Sequence, residues 1–406
     1  MQEEGYIVIV NPCDENKRFV LEDISKYYSK LALITTKEVS WESNYIKNVF
    51  LIKEYTEREI IKVIENFQKI HHVQGVITYS ERITDVIANV ADYFGFKGLS
   101  KPAGKFVRDK LAMRQRFKEK SIPIPKFQLI KSIDEASDFV RENGFPVVLK
   151  PTLGGSSEAV IKVINNDELE KYFEHVYSVS LNSYGYNGFL IEEYVEGLEV
   201  GIESVIFDGE VRVVMITDKY KGEEPFFLEI GHIVPSQLPT DIKEELRTTA
   251  IQAIKALGIQ NGVTHTEIKW TKEKGPKLIE IGGRMAGDYV PFLWKLATGV
   301  NLSTALVDVI LGRGPAIDYQ EKYLCSVQFI SPEREGILLG YGNIEDVLRK
   351  EGALSWRLEP YIGHRVSVPP NDYHNRLGHY ILKEESYSTL QEKIDKINKT
   401  IYLEIL

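Results

Sequence analysis

Short apolar runs alternate with amphipathic stretches through roughly the first 100 residues of the chain. The runs, rich in Val, Ile and Leu, lie at 5–10, 31–35, 48–52 and 74–78. In the stretches between them, for example 57–70, apolar side chains recur three and four positions apart, as on a helix with one buried face. Strands that alternate with helices, with few hairpin signals, predict a parallel sheet covered on both faces.

A proline-punctuated break at 121–127 separates this region from the next, because proline restricts its own backbone and that of the preceding residue. A helix is predicted after the break, with Ser132 and Glu135 as a capping box and Gly144 as its C-terminal stop. The apolar segment 145–150 then predicts a buried strand.

The middle of the chain has longer alternating segments joined by polar turns. Residues 198–220 predict a hairpin around the Asp-Gly turn at 208–209, and residues 262–283 predict a second pair of strands. Helices are predicted at 301–314 and, near the end of the chain, at 386–402. A parallel N-terminal layer followed by antiparallel pairs indicates a mixed fold, α/β in its first part and α+β afterwards.

Composition narrows the classes of protein that fit this organisation. The 406 residues include 59 Asp and Glu but 50 Lys and Arg, which gives a net charge of −9. This balance argues against a broad nucleic-acid-binding surface, which needs a basic stripe, but it is compatible with local basic pockets for phosphate. Two distant cysteines, Cys13 and Cys325, form neither a disulfide framework nor a zinc pattern.

The expected location is cytoplasmic, with no membrane partner. Two thiols without a disulfide framework are typical of a reducing compartment. The acidic N-terminal stretch contains an apolar run, at 5–10, that is too short for a signal peptide or a membrane span.

The first predicted strand ends in Asn11 and Pro12, where a dinucleotide-binding domain has a glycine-rich turn. The Gly-x-Gly-x-x-Gly fingerprint is therefore absent at that position. This argues against a nicotinamide-dependent dehydrogenase.

A candidate phosphate-binding loop joins two strands in residues 149–160. Two glycines and two serines at 154–157 would let backbone and hydroxyl donors approach an anion, and Lys150 adds a positive charge. The spacing is not that of a Walker loop, and a plain strand connection is the alternative interpretation. Lys110, early in an amphipathic stretch, is either a second phosphate ligand or a solvated helix residue.

A second candidate segment, at 189–204, combines an apolar strand end with acids, an aromatic residue, Gly197 and Glu199. Backbone groups of such a segment can hold adenine between apolar walls, and a carboxylate a few residues later can accept ribose hydroxyls. The alternative is a strand end with surface acids.

Two mid-strand acids, Glu267 and Glu280, lie on the predicted strand pair at 262–283. Facing positions on paired strands bring side chains within about 5 Å, where two carboxylates repel unless they share a cation. Hard oxygen ligands suit Mg²⁺, with phosphate completing its shell. The alternatives are that lysines such as Lys269 or Lys277 pair with the acids, or that Arg284 satisfies Glu280.

The order of these parts resembles the ATP-grasp superfamily over roughly residues 98–312. The resemblance implies an ATP-grasp fold of α/β and α+β class with four parts. These are an N-terminal parallel α/β domain at 1–97, a connector and small subdomain at 98–195, a large subdomain with the metal and substrate site at 196–312, and a carboxylase-like mixed α/β C-terminal domain at 313–406.

The same resemblance implies ATP and Mg²⁺ as cofactors, with two metal ions and Mn²⁺ as a substitute. The implied nucleotide ligands are Lys110 and Lys150 at the phosphates, Gly154, Gly155, Ser156 and Ser157 in a lid, Glu192, Glu193, Tyr194 and Val195 at the adenine, and Glu199 at the ribose. Glu267 and Glu280 are implied metal ligands, and Arg284 is implied to meet the phosphoryl or acyl group. Gly282 departs from the pattern, since many members have a metal-binding Asn there.

Within the superfamily, segments 227–239, 262–270 and 280–302 resemble the L-amino acid ligases, which are dipeptide synthases. In that family the pair at Glu229 and His232 is implied to lie at the amino acid site. The residues implied to shape the substrate pocket are Met285, Gly287 and Asp288. Without the resemblance, His232 would be read as a hydrogen-bonded structural histidine.

The predicted function is ATP-dependent ligation of a carboxylate, that of an L-amino acid, to an amine through an acyl phosphate. The loop at 154–157 and the Ser-, Asn- and Gly-rich segment 177–188 are predicted lids that exclude water. The alternatives are transfer to a carrier protein or an antibiotic precursor, carboxylation with bicarbonate, and nucleotide binding without turnover. The region after residue 313 shows no identifiable chemistry and is expected to be a structural cover or a homodimer surface.

Overall fold

The computed structural model describes residues 5–155, 157–186, 188–222, 224–372 and 376–406. Four β-sheets and twelve α-helices account for most of these described residues. One sheet is fully parallel and the other three are antiparallel. The predicted α/β and α+β class is confirmed.

The N-terminal sheet is parallel and has the strand order β3-β2-β1-β4. Its elements are β1 (Tyr6–Val10), α1 (Arg18–Tyr27), β2 (Leu31–Thr35), β3 (Asn48–Leu51), α2 (Glu57–Gln68), β4 (Val73–Ile77) and α3 (Thr84–Phe94). Alternate residues of β1 enter two different cores: Ile7 and Ile9 pack towards α1, whereas Val8 and Val10 pack towards α2 and α3. Both faces are therefore covered, as the sequence predicts.

A small antiparallel sheet, with the order β5-β8-β6-β7, follows two connecting helices. The elements are α4 (Lys101–Arg108), α5 (Lys110–Glu119), β5 (Phe127–Ile130), α6 (Ile133–Asn143), β6 (Val147–Lys150), β7 (Ile161–Val163), α7 (Asn166–Tyr184) and β8 (Phe189–Glu193). Ser132 caps α6 as predicted, since it accepts from the Glu135 backbone N–H, but Glu135 accepts from the backbone N–H of Lys131, one residue before the partner that a capping box uses.

The prediction of a mobile loop at 177–188 is wrong for residues 177–184, which form the last turns of α7. Asn165 caps the start of this helix, and Gly185, with φ 66°, ends it. Its buried face continues through Val176 and Ser180. Helical periodicity and good caps therefore outweigh a polar, turn-like composition. Asn187 lies outside the described residues.

The largest sheet has eight strands in the order β13-β12-β9-β10-β11-β14-β18-β16. Its first part comprises β9 (Leu198–Phe207), β10 (Glu210–Lys221), β11 (Glu229–Val234), α8 (Thr240–Leu257), β12 (Gly262–Thr271), β13 (Gly275–Gly282), α9 (Val290–Thr298) and α10 (Leu302–Ile310). The two predicted hairpins are β9–β10 and β12–β13, both antiparallel.

The remaining elements extend this sheet and add a three-stranded sheet of order β17-β15-β19. They are β14 (Leu324–Ile330), β15 (Gly336–Gly340), α11 (Ile344–Lys350), β16 (Ser355–Leu358), β17 (Arg365–Val366), β18 (Gly378–Glu384), α12 (Tyr387–Thr400) and β19 (Glu404–Ile405). The eight-stranded sheet thus runs without a break across residue 312, and the four domain boundaries drawn from the sequence stay a prediction.

Among the described residues, no single helix is long and apolar enough to cross a membrane. The bent pair α9 and α10 reaches that length and composition only when the two helices are taken together.

Gly283 lets helix α4 pack closely against the end of β13. A Cβ at this position would lie 2.5 Å from Leu99 Cδ1 and 3.0 Å from Val107 Cγ2. Both neighbours are apolar side chains at or within α4. Close packing of helix on strand therefore accounts for the second glycine after Glu280.

We expect Gly283→Ala to lower the free energy of unfolding by about 1–3 kcal/mol, because the added methyl group overpacks this contact. The matched control is Gly287→Ala, where a Cβ would meet nothing within 4 Å. Both substitutions remove a glycine from the unfolded chain, so the difference between them reports the native contact. Urea denaturation gives both values, and equal stabilities for the two variants would contradict the prediction.

Candidate active site

A cleft of about 1010 Å³ brings together the ends of the N-terminal sheet, the small sheet and the large sheet. Every sequence-predicted site residue that the structure describes lines this cleft. The remaining predicted residue, Ser156, lies outside the described residues. The cleft therefore brings residues that are far apart in the sequence, from Lys110 to Asp288, into one site.

Lys110 is the first residue of α5, and Asp109 caps that helix. Its ammonium lies 2.9 Å from the Glu280 carboxylate and donates to the Gly154 carbonyl at 3.1 Å. The side chain is only 8% exposed. Lys110 is therefore a buried link between the glycine loop and an acid on β13, and not a solvated helix residue.

Lys150, at the end of β6, shares the carboxylate of Glu192 with Arg114 from α5. The Lys150 ammonium lies 2.6 Å from Glu192, and the Arg114 guanidinium forms a bidentate contact at 2.7 and 3.1 Å. All three side chains are buried. The Glu192 carboxylate is therefore saturated by two cations, which leaves the backbone of this segment, and not that carboxylate, to contact a base.

Burial and, to a smaller extent, the nearby Arg114 lower the pKa of Lys150 to about 8, against the opposing effect of Glu192. Glu192 itself stays ionised: burial raises its pKa, but Arg114 and Lys150 together bring it below the usual value. The ammonium of Lys150 therefore titrates close to physiological pH.

Lys269 lies beneath the predicted adenine segment. It donates to the Val195 carbonyl at 2.9 Å, and its ammonium stands 4.7 Å from the centre of the Tyr194 ring. Burial lowers the pKa of Lys269 to about 8. Glu193 is half-buried at the cleft edge. The predicted pairing of Lys269 with a mid-strand acid of the β12–β13 hairpin is not found, and its nearest carboxylate is Glu199 at 3.9 Å.

Glu267 and Glu280 are direct partners in the antiparallel register of β12 and β13, and a bulge follows Glu267. A lysine from another element neutralises each one: Lys219 at 2.8 Å from Glu267, and Lys110 at 2.9 Å from Glu280. Lys277 does not pair with either acid and donates to the Ile124 carbonyl. Two facing carboxylates on the wall of a phosphate-sized cleft are a donor set that fits Mg²⁺.

Lys219, on β10, is the central cation of this cluster. It lies 3.3 Å from Glu199 and 2.8 Å from Glu267, and it also contacts Glu229. Burial raises the pKa of Glu267, but Lys219 overrides that effect and holds the pKa well below its usual value. One buried ammonium therefore connects the predicted ribose, metal and acceptor residues.

Arg284 pairs with Glu81, at 2.6 Å, and not with Glu280. Glu81 begins a short turn after β4 of the N-terminal sheet. A Cβ on Gly282 would lie 3.0 Å from the same Glu81 oxygen. The space beside Gly282, where many superfamily members have Asn, is therefore occupied by a carboxylate from the N-terminal sheet.

Glu229, His232 and Asp288 contact one another in the cleft, and we name this cluster the acceptor group after the role that the resemblance implies for it. His232 Nε2 lies 3.3 Å from Asp288 and 3.4 Å from Glu229. Arg376 holds both Asp288 oxygens, at 2.5 and 2.9 Å, and packs 3.6 Å from the centre of the Phe329 ring. The expectation that the region after residue 313 contributes no chemistry is therefore wrong, because a loop before β18 supplies this arginine.

The members of the acceptor group shift one another's pKa values. Burial lowers the pKa of His232, but contacts with Asp288 and Glu229 raise it above the usual value. Burial raises the pKa of Glu229, but Lys219 and His232 bring it down to about 2. Met285 and Gly287 line the same part of the cleft.

Four charged residues that complete the site were not predicted from the sequence: Glu81, Arg114, Lys219 and Arg376. Two of them carry a local signal. Arg114 lies one helical turn after Lys110 on the buried face of α5, and Lys219 lies on the same face of β10 as the buried Met215 and Thr217. Glu81 and Arg376 come from loops, where no periodicity identifies a buried charge.

Comparisons with known proteins fit this geometry. Residues 143–291 match the ATP-grasp domain family. Alanine–anticapsin ligase of Bacillus subtilis (strain 168) is 29% identical over 273 residues, which cover 63% of this chain and 57% of that protein. The chain therefore spans less than two thirds of the length of this relative.

Two solved structures establish the fold. An L-amino acid ligase from Bacillus licheniformis matches with a TM-score of 0.84 and 20% identity, over 100% of both chains. The biotin carboxylase domain of the Hydrogenobacter thermophilus 2-oxoglutarate carboxylase, in complex with MgADP and bicarbonate, matches with a TM-score of 0.75 and 15% identity, over 100% of this chain and 92% of that one. The predicted ATP-grasp fold is confirmed.

The lowered pKa of Lys150 predicts a pH dependence of nucleotide binding. Because Lys150 loses its proton above about pH 8, we expect ADP to bind about tenfold more weakly for each further pH unit. The measurement is calorimetric titration of ADP at a series of pH values. Lys150→Arg is the control, since its guanidinium keeps its charge and should flatten the profile. Identical profiles for the wild type and this variant would contradict the prediction.

Proposed function

Because the chain carries an ATP-grasp domain within a full ATP-grasp fold, we propose that it is an ATP-dependent carboxylate–amine ligase, similar to the L-amino acid ligases. One observation carries the proposal. The facing acids Glu267 and Glu280 lie between phosphate-type lysines on one side and the acceptor group Glu229–His232–Asp288 on the other. We assign the lysine end of the cleft to the triphosphate and the end with the acceptor group to the amine, with the substrate carboxylate between them.

The ATP side neutralises charge and aligns the reacting groups. Lys110 and Lys150 would contact phosphate oxygens, and Glu267 and Glu280 would hold Mg²⁺, which supplies the main charge neutralisation when it is bound. A substrate carboxylate would attack the γ-phosphate to form an acyl phosphate, with Arg284 near the developing charge. Two metal ions and replacement by Mn²⁺ stay predictions.

The acceptor side holds an incoming ammonium group. His232 Nε2 lies 3.4 Å from Glu229 and 3.3 Å from Asp288, and the partly exposed oxygens of these two acids could accept hydrogen bonds from an ammonium. We therefore assign the acceptor group to orientation of the amine. The ammonium would lose a proton to Glu229 or His232, and the free amine of the L-amino acid would then attack the acyl carbon, displace phosphate and form a dipeptide or another amide.

The glycine loop is the lid that this proposal requires. Gly154 packs beneath the Tyr184 side chain at the end of α7, and the Tyr184 hydroxyl contacts Glu158. In the second predicted lid, at 177–188, residues 177–184 belong to helix α7, so they do not form a lid loop. Closure of the loop at 154–157 would keep water from an acyl phosphate.

The decisive test is a phosphate-release screen over pairs of amino acids with ATP and Mg²⁺, with each product identified by mass. The proposal predicts release that requires both a carboxylate donor and an amine acceptor. With the donor alone, added hydroxylamine should trap the acyl phosphate as a hydroxamate. Absence of amino-acid-dependent release across the full panel would overturn the proposal.

The screen also separates the alternative functions. The fold is shared with a biotin carboxylase domain that was crystallised with bicarbonate, so a bicarbonate arm is included. ADP production that depends on bicarbonate, and not on amino acids, would identify a carboxylase. Release that requires a carrier protein or an amino-sugar precursor would identify the transfer alternative.

We expect Glu280→Gln to lower the rate of ADP production at least about 100-fold, because a metal ligand is lost. The matched control is Glu273→Gln, an exposed acid in the turn of the same hairpin, which should keep wild-type turnover. Coupled ADP assays at saturating ATP and Mg²⁺ measure both rates. Wild-type turnover in Glu280→Gln would remove Glu280 from the metal site.

A further inference from the structure

Lys219 stands at the point where the metal, ribose and acceptor acids of the cleft meet. Its strand, β10, lies between β9 and β11, and its side chain reaches acids on β9, β11 and β12. Only 2% of the side chain is exposed. A buried ammonium in contact with three carboxylates stabilises a cluster that would otherwise repel itself.

The position of Lys219 is that of a cation shared between acids. Its ammonium lies 2.8 Å from Glu267, the acid that would bind Mg²⁺, and 3.3 Å from Glu199. Lys110 does the same for Glu280, at 2.9 Å. Both acids of the proposed metal site therefore already have a positive partner in the protein without nucleotide.

We propose that Lys219 is an internal counter-cation that fills the carboxylate cluster in the resting enzyme and makes metal entry depend on nucleotide. Free Mg²⁺ meets acids whose charge is already balanced, so it gains little by binding alone. A triphosphate brings new negative charge, and the metal and Lys219 can then share the enlarged anionic cluster. The inference rests on the proposed role of Glu267 as a metal ligand.

Lys219→Met tests this role through metal binding and stability, without turnover. In EDTA the variant should unfold about 5–10 °C below the wild type, because Glu199, Glu229 and Glu267 lose their common partner. Mg²⁺ alone should then restore several degrees, and calorimetry should give a Mg²⁺ affinity at least about tenfold above that of the wild type. The wild type should gain stability from Mg²⁺ together with ADP, but not from Mg²⁺ alone at matched ionic strength.

Lys221→Met is the matched control. Lys221 lies two residues further along β10 and also contacts Glu199, but its side chain is 24% exposed, and its ion pair with Glu199 does not involve Glu267. This variant should show no gain from Mg²⁺ alone. Such a gain in Lys221→Met would mean that any lost lysine produces the effect, and it would overturn the specific role of Lys219.

The double variant Lys219→Met/Glu267→Gln keeps the test decisive if the single variant is too unstable to fold. Removing one acid with the ammonium should bring the unfolding temperature in EDTA back towards the wild type and abolish the gain from Mg²⁺. A double variant that also fails to fold would overturn the proposal, and so would equal Mg²⁺ affinities in the wild type and Lys219→Met. These readouts are independent of the amino-acid screen, so a failed ligase assignment would be recognised separately.

Discussion

Neutralisation of buried carboxylates is the constraint on which the cleft depends. Acids on β8, β9, β13 and the loop before α9 point into one low-dielectric space, and each has a basic partner from a different element. Lys110 joins α5 to β13, and Arg376 joins the C-terminal region to the segment that precedes α9. The ion pairs therefore fix how the sheets meet, while the hydrophobic clusters beneath them provide most of the stability.

The buried ion pairs therefore determine the geometry of the cleft more than they determine the stability of the fold. Replacing a whole buried ion pair by apolar residues is often neutral, whereas removing one partner costs about 3–5 kcal/mol. In the network around Lys219 and Arg114, the loss of any member therefore takes an opposite charge away from another member, which destabilises the fold. A charged ligand that enters such a cluster must therefore bring a counter-ion of opposite charge, as a triphosphate does when it binds with Mg²⁺.

The sequence predicts those features of the fold and site that depend on local pattern. The Asp-Gly turn fixes the β9–β10 hairpin, and the facing of Glu267 and Glu280 follows from a strand pair whose register a short turn sets. What the sequence does not reveal is which distant cation meets each acid. Glu81 and Arg376 reach the site only through the tertiary fold, so their positions in the site cannot be predicted from residue spacing along the chain.

The shared fold also places the question of function in a small part of the cleft. One fold can host different reactions, so the roles proposed for Lys150, Glu267 and Glu280 at phosphate and metal would not discriminate between an amine and bicarbonate. The group around His232 does bear on this choice. Glu229 and Asp288 pair with Lys219 and Arg376, and each keeps 22% of its side chain exposed to the cleft, so their oxygens could still accept hydrogen bonds from an ammonium. That chemistry supports an amine as the acceptor.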